Sequence, residues 1–560
     1  VPIIRCLAGR LACVSHQQLS HSPSWLRSRA TAFSLTDLKA RLLYPRFTLG
    51  TTGWLIAAVL TVAAGLLRFW QLANPQELIF DETYYVKDAY SLWHFGYERS
   101  WDDDDDDAFV AGQAQPHHDA AYVVHPPAGK WLIGAGMALF GFDNAFGWRF
   151  TAALAGTLSV LLTFVLAAKL FRSLFLASFA GILLTIEGHH IVMSRVGLLD
   201  IFLMLFVLGA FCALVADRTW GRRRLAIELA ARYGRATATN ATAHDRTHWQ
   251  NTIRYGPWLG LRPWRVLAGV LLGIAVSVKL SGLAFMAVFG LLTVWWDANA
   301  RKTAGIRRWL PGAAVLDGVW AFGSIVIVGA LAYVGTWAGW LISSTGYYRN
   351  WGAEHPGLLP DWLASMIHYH TQATTFHTGL DSSHNYASAA WIWPFAGRPV
   401  SFFYRTDDDG IGCAAEQCSA AILDLPNPLI WWTGLVAIAV ILLRWLVVRD
   451  WRAGAILAVY VAGQLVWTLW PERTMFFFYT VAYVPFLVLA IAYLAGLILA
   501  RASGTGSGPP RSRQTTAVVI GIGVFVLLAL VVSAFFLPIW TGTPLPLEQW
   551  QQRMWFQSWI

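Results

Sequence analysis

Apolar runs long enough to cross a bilayer recur along the chain, at 53–70, 148–170, 173–193, 197–216, 264–280, 281–297, 314–342, 428–448, 451–470, 474–499 and 516–539. About 20 apolar residues fill the hydrocarbon core of a membrane, so these read as about eleven transmembrane segments. Backbone N–H and C=O groups find no partners in lipid, and runs of this length satisfy them only as helices. The expected fold class is therefore an all-α polytopic membrane protein. The 264–297 stretch is one run, split at the polar "VKLSG", Val278 to Gly282. The Gly-rich run 129–146 reads as interfacial rather than spanning. Composition agrees: 13% of residues are charged, against about 25% in soluble proteins. The 31 Trp and 32 Phe suit aromatic belts at the membrane surface. A net charge of +9 is then a property of loops and gives no reason to expect a nucleic-acid partner.

Loop charges set the orientation. With a cytoplasmic N-terminus, the inside segments carry Arg172, Arg222, Arg223, Arg224, Arg301, Lys302, Arg307, Arg308, Arg449 and Arg501. The two long outside loops, 71–147 and 343–427, are rich in Asp and Glu. One assignment satisfies the positive-inside rule in every loop and leaves the C-terminus outside, as expected for a multi-pass cell-membrane protein. The divisions are a basic cytoplasmic tail at 1–52, disordered or interfacial to about Arg46, and a transmembrane core at 53–500. A cytoplasmic linker at 501–515 follows, then a last helix with an outer tail at 516–560.

Chemistry is expected in the two outer loops, since loops beyond about 15 residues are usually functional or disordered. Their motifs come in a fixed order. "RFWQLANPQELIFDE" runs from Arg68 to Glu82, "VHPPAGKWLIGAG" from Val124 and "WRFTAALAG" from Trp148. "SRVGLLDIFLMLF" starts at Ser194 and "SVKLSGL" at Ser277. "SSHNYASAAWIWPFAGRPVSFFY" spans Ser382 to Tyr404, and "PERTMFFFY" opens at Pro471.

This ordered set resembles the protein O-mannosyltransferases, specifically their bacterial, actinomycete-type branch, from about Arg68 to Trp540. The resemblance implies the GT-C fold, a bundle of transmembrane helices with catalytic loops on the outer face. It implies a polyprenyl-phosphate-mannose donor and inverting transfer to Ser or Thr hydroxyls of secreted or translocating proteins, with the secretion translocon as an expected meeting point. Eukaryotic relatives carry a β-trefoil domain in the second outer loop. Here 343–427 is too short to hold one.

Inverting transfer needs a base for the hydroxyl proton and cations for the departing lipid phosphate. The resemblance makes the Asp81–Glu82 pair the active-site signature, with Asp81 as the expected base and Glu82 close behind it. Arg68, Arg149, Lys279 and Arg473 are the expected phosphate ligands, and Arg68 is expected to keep Asp81 ionised. Lys279 stands out on its own, because a cation inside an apolar run costs about 2.5–3.5 kcal/mol and faces a partner or cavity. Arg195 is a further candidate, or a structural partner of Asp200. His125, His384, Tyr386, Trp391 and Trp393 are expected to contact sugar or acceptor; the Trp-rich segment equally suits an interface anchor.

The acidic run Asp102 to Asp107, with His117, His118 and Asp119, offers oxygen ligands for a divalent cation. It lacks the alternating spacing of a calcium loop and reads as a solvated segment, so no metal or other cofactor is called for. Glu187, His189 and His190 receive no role. Cys413 and Cys418 share an oxidising compartment and suit a disulfide. Two other classes fit the bare topology. One is a different lipid-phosphate-sugar-dependent glycosyltransferase acting on lipid or polysaccharide. The other is a secondary transporter, against which stands the absence of paired broken helices in two halves.

Overall fold

The computed structural model describes residues 33–45, 47–102, 104–406, 412–504 and 512–560. Most of the N-terminal tail, Asp103, residues 407–411 and residues 505–511 of the linker lie outside the described residues. The helices that matter here are α1 (Leu35–Leu42), α2 (Gly50–Phe69), α3 (Glu82–Phe95), α4 (Ala128–Phe140), α5 (Ala145–Phe171), α6 (Leu174–Ile186), α7 (Asp200–Thr237) and α8 (Ala243–Tyr255). They continue with α9 (Pro263–Val278), α10 (Gly282–Ala304), α11 (Trp309–Thr336), α12 (Asp361–Gly379), α13 (Pro428–Val448), α14 (Trp451–Leu469), α15 (Phe477–Ala502) and α16 (Arg513–Thr541).

Nine helices among the described residues are long and apolar enough to cross a membrane: α2, α5, α7, α10, α11, α13, α14, α15 and α16. The other two expected spans are shorter. α6 has 13 residues and α9 has 16, about 24 Å for the latter at 1.5 Å per residue. Both still run between the two faces of the bundle. α9 is tied by Arg262 and Arg265 at one end and leads into Lys279 at the other. α6 ends where the Glu187 carboxylate caps the short helix Gly188–Met193. Gly269 and Gly273 let α9 approach α11 closely: a Cβ at Gly273 would lie 2.1 Å from the Gly329 carbonyl. This is the small-residue packing that lipid-embedded helices use.

The basic face of the bundle is more ordered than expected. The 217–263 connection is helical: α7 runs 38 residues, well past a hydrocarbon core of roughly 30 Å, and α8 follows it. Leu38 and Leu42 of α1 pack on Leu225, Ala226 and Leu229 of α7. A buried charge lattice holds this face. Arg262 forks Asp217 at 2.9 and 2.7 Å and reaches Asp297 at 2.8 Å. Arg265 joins the same two carboxylates, and Arg301 grips Asp317 at 2.6 and 2.9 Å.

On the opposite face the two long loops pack on each other. The 343–427 loop contains α12 and two strands of a small sheet, β1 (Val400–Thr406) and β2 (Cys418–Asp424), which the sequence reading did not anticipate. They are antiparallel, with Val400 opposite Asp424, and β3 (Leu545–Pro546) from the C-terminal tail pairs with β2. Cys413 and Cys418 are disulfide-bonded beside this sheet.

Removing one partner of a buried ion pair strands the other charge and costs about 3–5 kcal/mol. Arg262→Ala, which strands two carboxylates, is expected to lower the unfolding temperature of detergent-purified protein far more than Arg224→Ala at an exposed helical pair. Equal stability of the two variants would contradict the lattice's role.

Candidate active site

The site begins at a strained turn. Phe80 is held at φ 51°, a left-handed conformation that costs a bulky residue energy and that tends to occur at functional sites. Its ring packs on Phe402 at 4.8 Å and Phe478 at 5.8 Å, with His384 and Phe476 each at 6.3 Å. The turn delivers Asp81 at the start of α3, where its side chain caps nothing. The Asp81 carboxylate accepts one long hydrogen bond, from the Tyr85 hydroxyl at 3.4 Å. Burial pushes the Asp81 carboxyl up to about 6; nearby Lys279 pulls against this and Asp200 adds to it.

Lys279 follows the last turn of α9 in an extended conformation. It is buried, and its ammonium donates to Asp200 Oδ2 at 2.7 Å. The same nitrogen stands 4.8 Å from the ring centre of Tyr479 and 5.4 Å from that of Phe478. Beside the pair lies a small gap of about 10 Å³, lined by Asp200, Leu203, Ser281, Phe285, Trp467 and Tyr479 among others. Arg473 is half-exposed nearby. Its Nε donates to the His377 carbonyl at 2.9 Å, and Nη1 to the Thr474 carbonyl and the Tyr479 hydroxyl. Its Nη2 has no partner among the described residues. His125 sits between Tyr85, which it meets edge-on, and the tilted ring of His377, with its Nδ1 buried and unpartnered. Burial, with Lys279 close by, holds its imidazole well below the usual range. His377 is lowered to about 4 by burial. Both rings are therefore neutral at pH 7.

Other expected ligands lie elsewhere. Glu82 is fully buried and forked by Arg149, with both bonds at 2.8 Å; it also accepts from the Ile79 and Gly197 N–H groups. Arg149 adds bonds to the carbonyls of Leu72, Pro75 and Glu77. All five of its N–H groups are used, so none remains for a phosphate. Both side chains, expected in the reacting site, are thus saturated by partners within the fold. Arg68 is fully buried between α2 and α6, bonded to the Ala64, Thr185 and Leu184 carbonyls and to His190 Nδ1. It is not among the charges that act on Asp81, so the expectation that it keeps this carboxylate ionised is replaced by Lys279. Arg195 caps the end of α2 through the carbonyls of Leu67, Arg68, Trp70 and Gln71; Asp200 pairs with Lys279 instead.

The aromatic segment divides. His384 reaches the rim of the site through Phe80 and Phe476, and Tyr386 follows it. Trp393 is completely buried, donating to Ser388 Oγ at 3.0 Å, and belongs to the core. Trp391 is 70% exposed and makes no ring contact with the site. His189 is also core, bridging Asp424 at 2.6 Å and Thr480 at 3.0 Å.

The sequence reading gave no role to Tyr85, His377 and Tyr479, and named Asp200 only as a structural partner of Arg195 rather than of Lys279. Asp200 carried a signal, since an acid at the head of an apolar run calls for a partner. The others carried none. Among the described residues no group of three or more His, Cys, Asp or Glu side chains converges as a metal site. In the acidic run, Asp106 pairs with Lys87 and accepts from Thr83, docking the run onto α3.

Comparison with known proteins follows the same segments. The family model described as dolichyl-phosphate-mannose-protein mannosyltransferase matches residues 58–227. The model of the C-terminal four-transmembrane region of protein-O-mannosyltransferase matches 362–559. The chain is 35% identical over 528 residues to the polyprenol-phosphate-mannose–protein mannosyltransferase of Mycolicibacterium smegmatis, covering 90% of this chain and 93% of the relative. It is 33% identical over 525 residues to the protein of the same name from Corynebacterium glutamicum, covering 91% and 94%. Among solved structures it is similar to the S. cerevisiae protein O-mannosyltransferase Pmt1–Pmt2 complex bound to the sugar donor. The TM-score is 0.64 with 14% identity, over 94% of both chains, which shows the shared GT-C fold.

The two neighbouring carboxylates should separate by stability. Glu82→Gln disrupts a buried pair and is expected to cost about 3–5 kcal/mol, seen as lost yield and a lowered unfolding temperature. Asp81→Asn should leave both near wild type. Equal destabilisation would show that Asp81 is also part of the scaffold.

Proposed function

The chain belongs to the dolichyl-phosphate-mannose–protein mannosyltransferase family; on that premise we propose that it transfers mannose from a polyprenyl-phosphate-mannose donor to Ser or Thr hydroxyls of proteins, with inversion. The names of its relatives support the donor and the protein acceptor. The observation that carries the reading here is one lightly bonded carboxylate, Asp81, beside a buried cation, Lys279, where the transmembrane helices meet the packed loops.

The acceptor oxygen attacks the anomeric carbon as the bond from that carbon to the phosphate oxygen breaks. The bonding pair leaves with the polyprenyl phosphate, and the hydroxyl proton passes to Asp81. A carboxylate raised toward 6 is a better base than an ordinary one and is still ionised at pH 7. The sugar carbon passes through an oxocarbenium-like state, which a nearby carboxylate favours. The phosphate lies on the Lys279 ammonium and the unpartnered Nη2 of Arg473. Asp200 holds Lys279 in place. His125, neutral and with an unpartnered Nδ1, contacts the sugar or phosphate, and His384 and Tyr386 form the acceptor rim. The lipid chain leaves between the helices.

The positive charge of the basic face, including Arg222, Arg223, Arg224, Arg307 and Arg308, supports placing it in the cytoplasm. The loop face and both ends of the last helix's outer tail then lie outside the plasma membrane, where acceptors emerging from the secretion translocon pass. Cysteines placed at Gln113 and Glu416 should react with an impermeant maleimide on intact cells; protection of both would reverse the orientation.

Membranes containing the protein should move radiolabel from polyprenyl-phosphate-mannose to a Thr-rich peptide, and a lack of transfer would defeat the reading. Lys279→Ala should raise the donor KM about ten- to a hundredfold, the worth of a charge-assisted contact. Unchanged donor KM and kcat would remove Lys279 from the donor site.

A further inference from the structure

The geometry assigns Arg398 as a positioning residue for the acceptor: through it the C-terminal segment Leu547–Ile560 holds the His384–Ser388 loop against the site. The inference rests on the proposed mannosyl transfer at Asp81.

Arg398 follows the Trp-rich segment and uses its whole guanidinium. Nε and Nη2 both donate to the Asn385 carbonyl, at 3.1 and 2.8 Å. Nη1 donates to the carbonyls of Ser558 and Ile560, at 2.8 and 2.6 Å. The guanidinium carbon lies 5.0 Å from the centre of the Tyr386 ring. One planar fork therefore joins the loop that carries His384 and Tyr386 to the end of the tail. A lysine, with a single point charge, cannot make this set of bonds.

The tail is itself fixed. β3 pairs with β2, and Leu547 N–H donates to the Gln417 carbonyl at 2.9 Å. Trp559 is buried, and its indole N–H donates to the Ala396 carbonyl at 2.9 Å, two residues before Arg398. The far end of the loop is pinned where Ser388 N–H meets the Met475 carbonyl at 2.8 Å. His384, next to the Asn385 anchor, faces Phe80 and Phe476, and Tyr386, between the two anchors, lies against the His384 ring. The cations proposed for the donor are held by other groups: Lys279 by Asp200, and Arg473 by the carbonyls of His377 and Thr474. Loosening the clamp thus disturbs the acceptor rim and leaves the donor cations in place.

The test is steady-state transfer to a Thr-rich peptide by membranes carrying wild type, Arg398→Ala, Arg398→Lys and Trp559→Phe at matched protein levels. Loss of charge-assisted bonds should raise the acceptor KM about tenfold or more in Arg398→Ala, with donor KM and kcat within about twofold of wild type. Arg398→Lys should fall between, and it keeps the test open if the alanine variant fails to fold. Trp559→Phe keeps an aromatic side chain but loses the indole N–H bond to Ala396 and some packing, and should shift the acceptor KM in the same direction. A wild-type acceptor KM in an active Arg398 variant would overturn the inference, as would a parallel loss in donor KM and kcat. Absence of transfer by wild type would instead defeat the underlying reading.

Discussion

The position of Asp81 depends on its neighbour. Glu82 accepts four hydrogen bonds while fully buried, two from Arg149 and one each from the Ile79 and Gly197 N–H groups. Those bonds join the turn after α2, the start of α5 and the loop before α7. Arg149 then ties down the chain from Leu72 to Glu77 through three carbonyls. A buried pair of this kind contributes little net stability over an apolar replacement, but its geometry is specific. With both ends of the turn fixed, Phe80 is held in a left-handed conformation and Asp81 faces Lys279. Two adjacent carboxylates thus have opposite environments: one saturated with donors, the other nearly bare.

That contrast separates their chemistry. A carboxylate bound by an Arg fork and two amide N–H groups is a poor base, because every lone-pair direction is occupied. Asp81 has one long bond to Tyr85, and burial raises its carboxyl to about 6 against the pull of Lys279. Two effects compete at Lys279 as well. Asp200 satisfies the ammonium in the resting site, yet the aromatic faces of Phe478 and Tyr479 leave a second side of that cation without a carboxylate. The arriving phosphodiester, a monoanion, meets a cation already placed, with little ordering left to do.

Hydropathy made the helices legible, because twenty apolar residues have few other uses. It overestimated the length of α6, which ends at Glu187, while α9 matches its expected run to within two residues and ends at Lys279. The outer sheet was not legible: β1 and β2 are short, and β3 lies more than a hundred residues further along the chain. Family resemblance pointed to the Asp81 turn and to Lys279. It could not tell Arg473 from Arg68 and Arg149, since an arginine's sequence position does not reveal which carbonyls already hold its N–H groups. Likewise Trp391 and Trp393 sit two residues apart, one exposed and one in the core, and only the turn between them decides which. Asp200 was paired with Arg195 instead of Lys279, although an isolated acid and an isolated cation in neighbouring spans invite pairing.

The central claim is that Asp81 takes the acceptor's proton. Its most direct measurement is the pH dependence of kcat for mannose transfer at saturating donor and peptide, for wild type and Asp81→Asn. A base must be ionised to act, so wild-type kcat should fall as pH drops through about 6. Asp81→Asn should be about 10²–10⁴-fold slower, the usual worth of general-base catalysis, and should lack that acid limb while still binding the donor. Near-wild-type turnover in Asp81→Asn, or an acid limb that persists in it, would contradict the account.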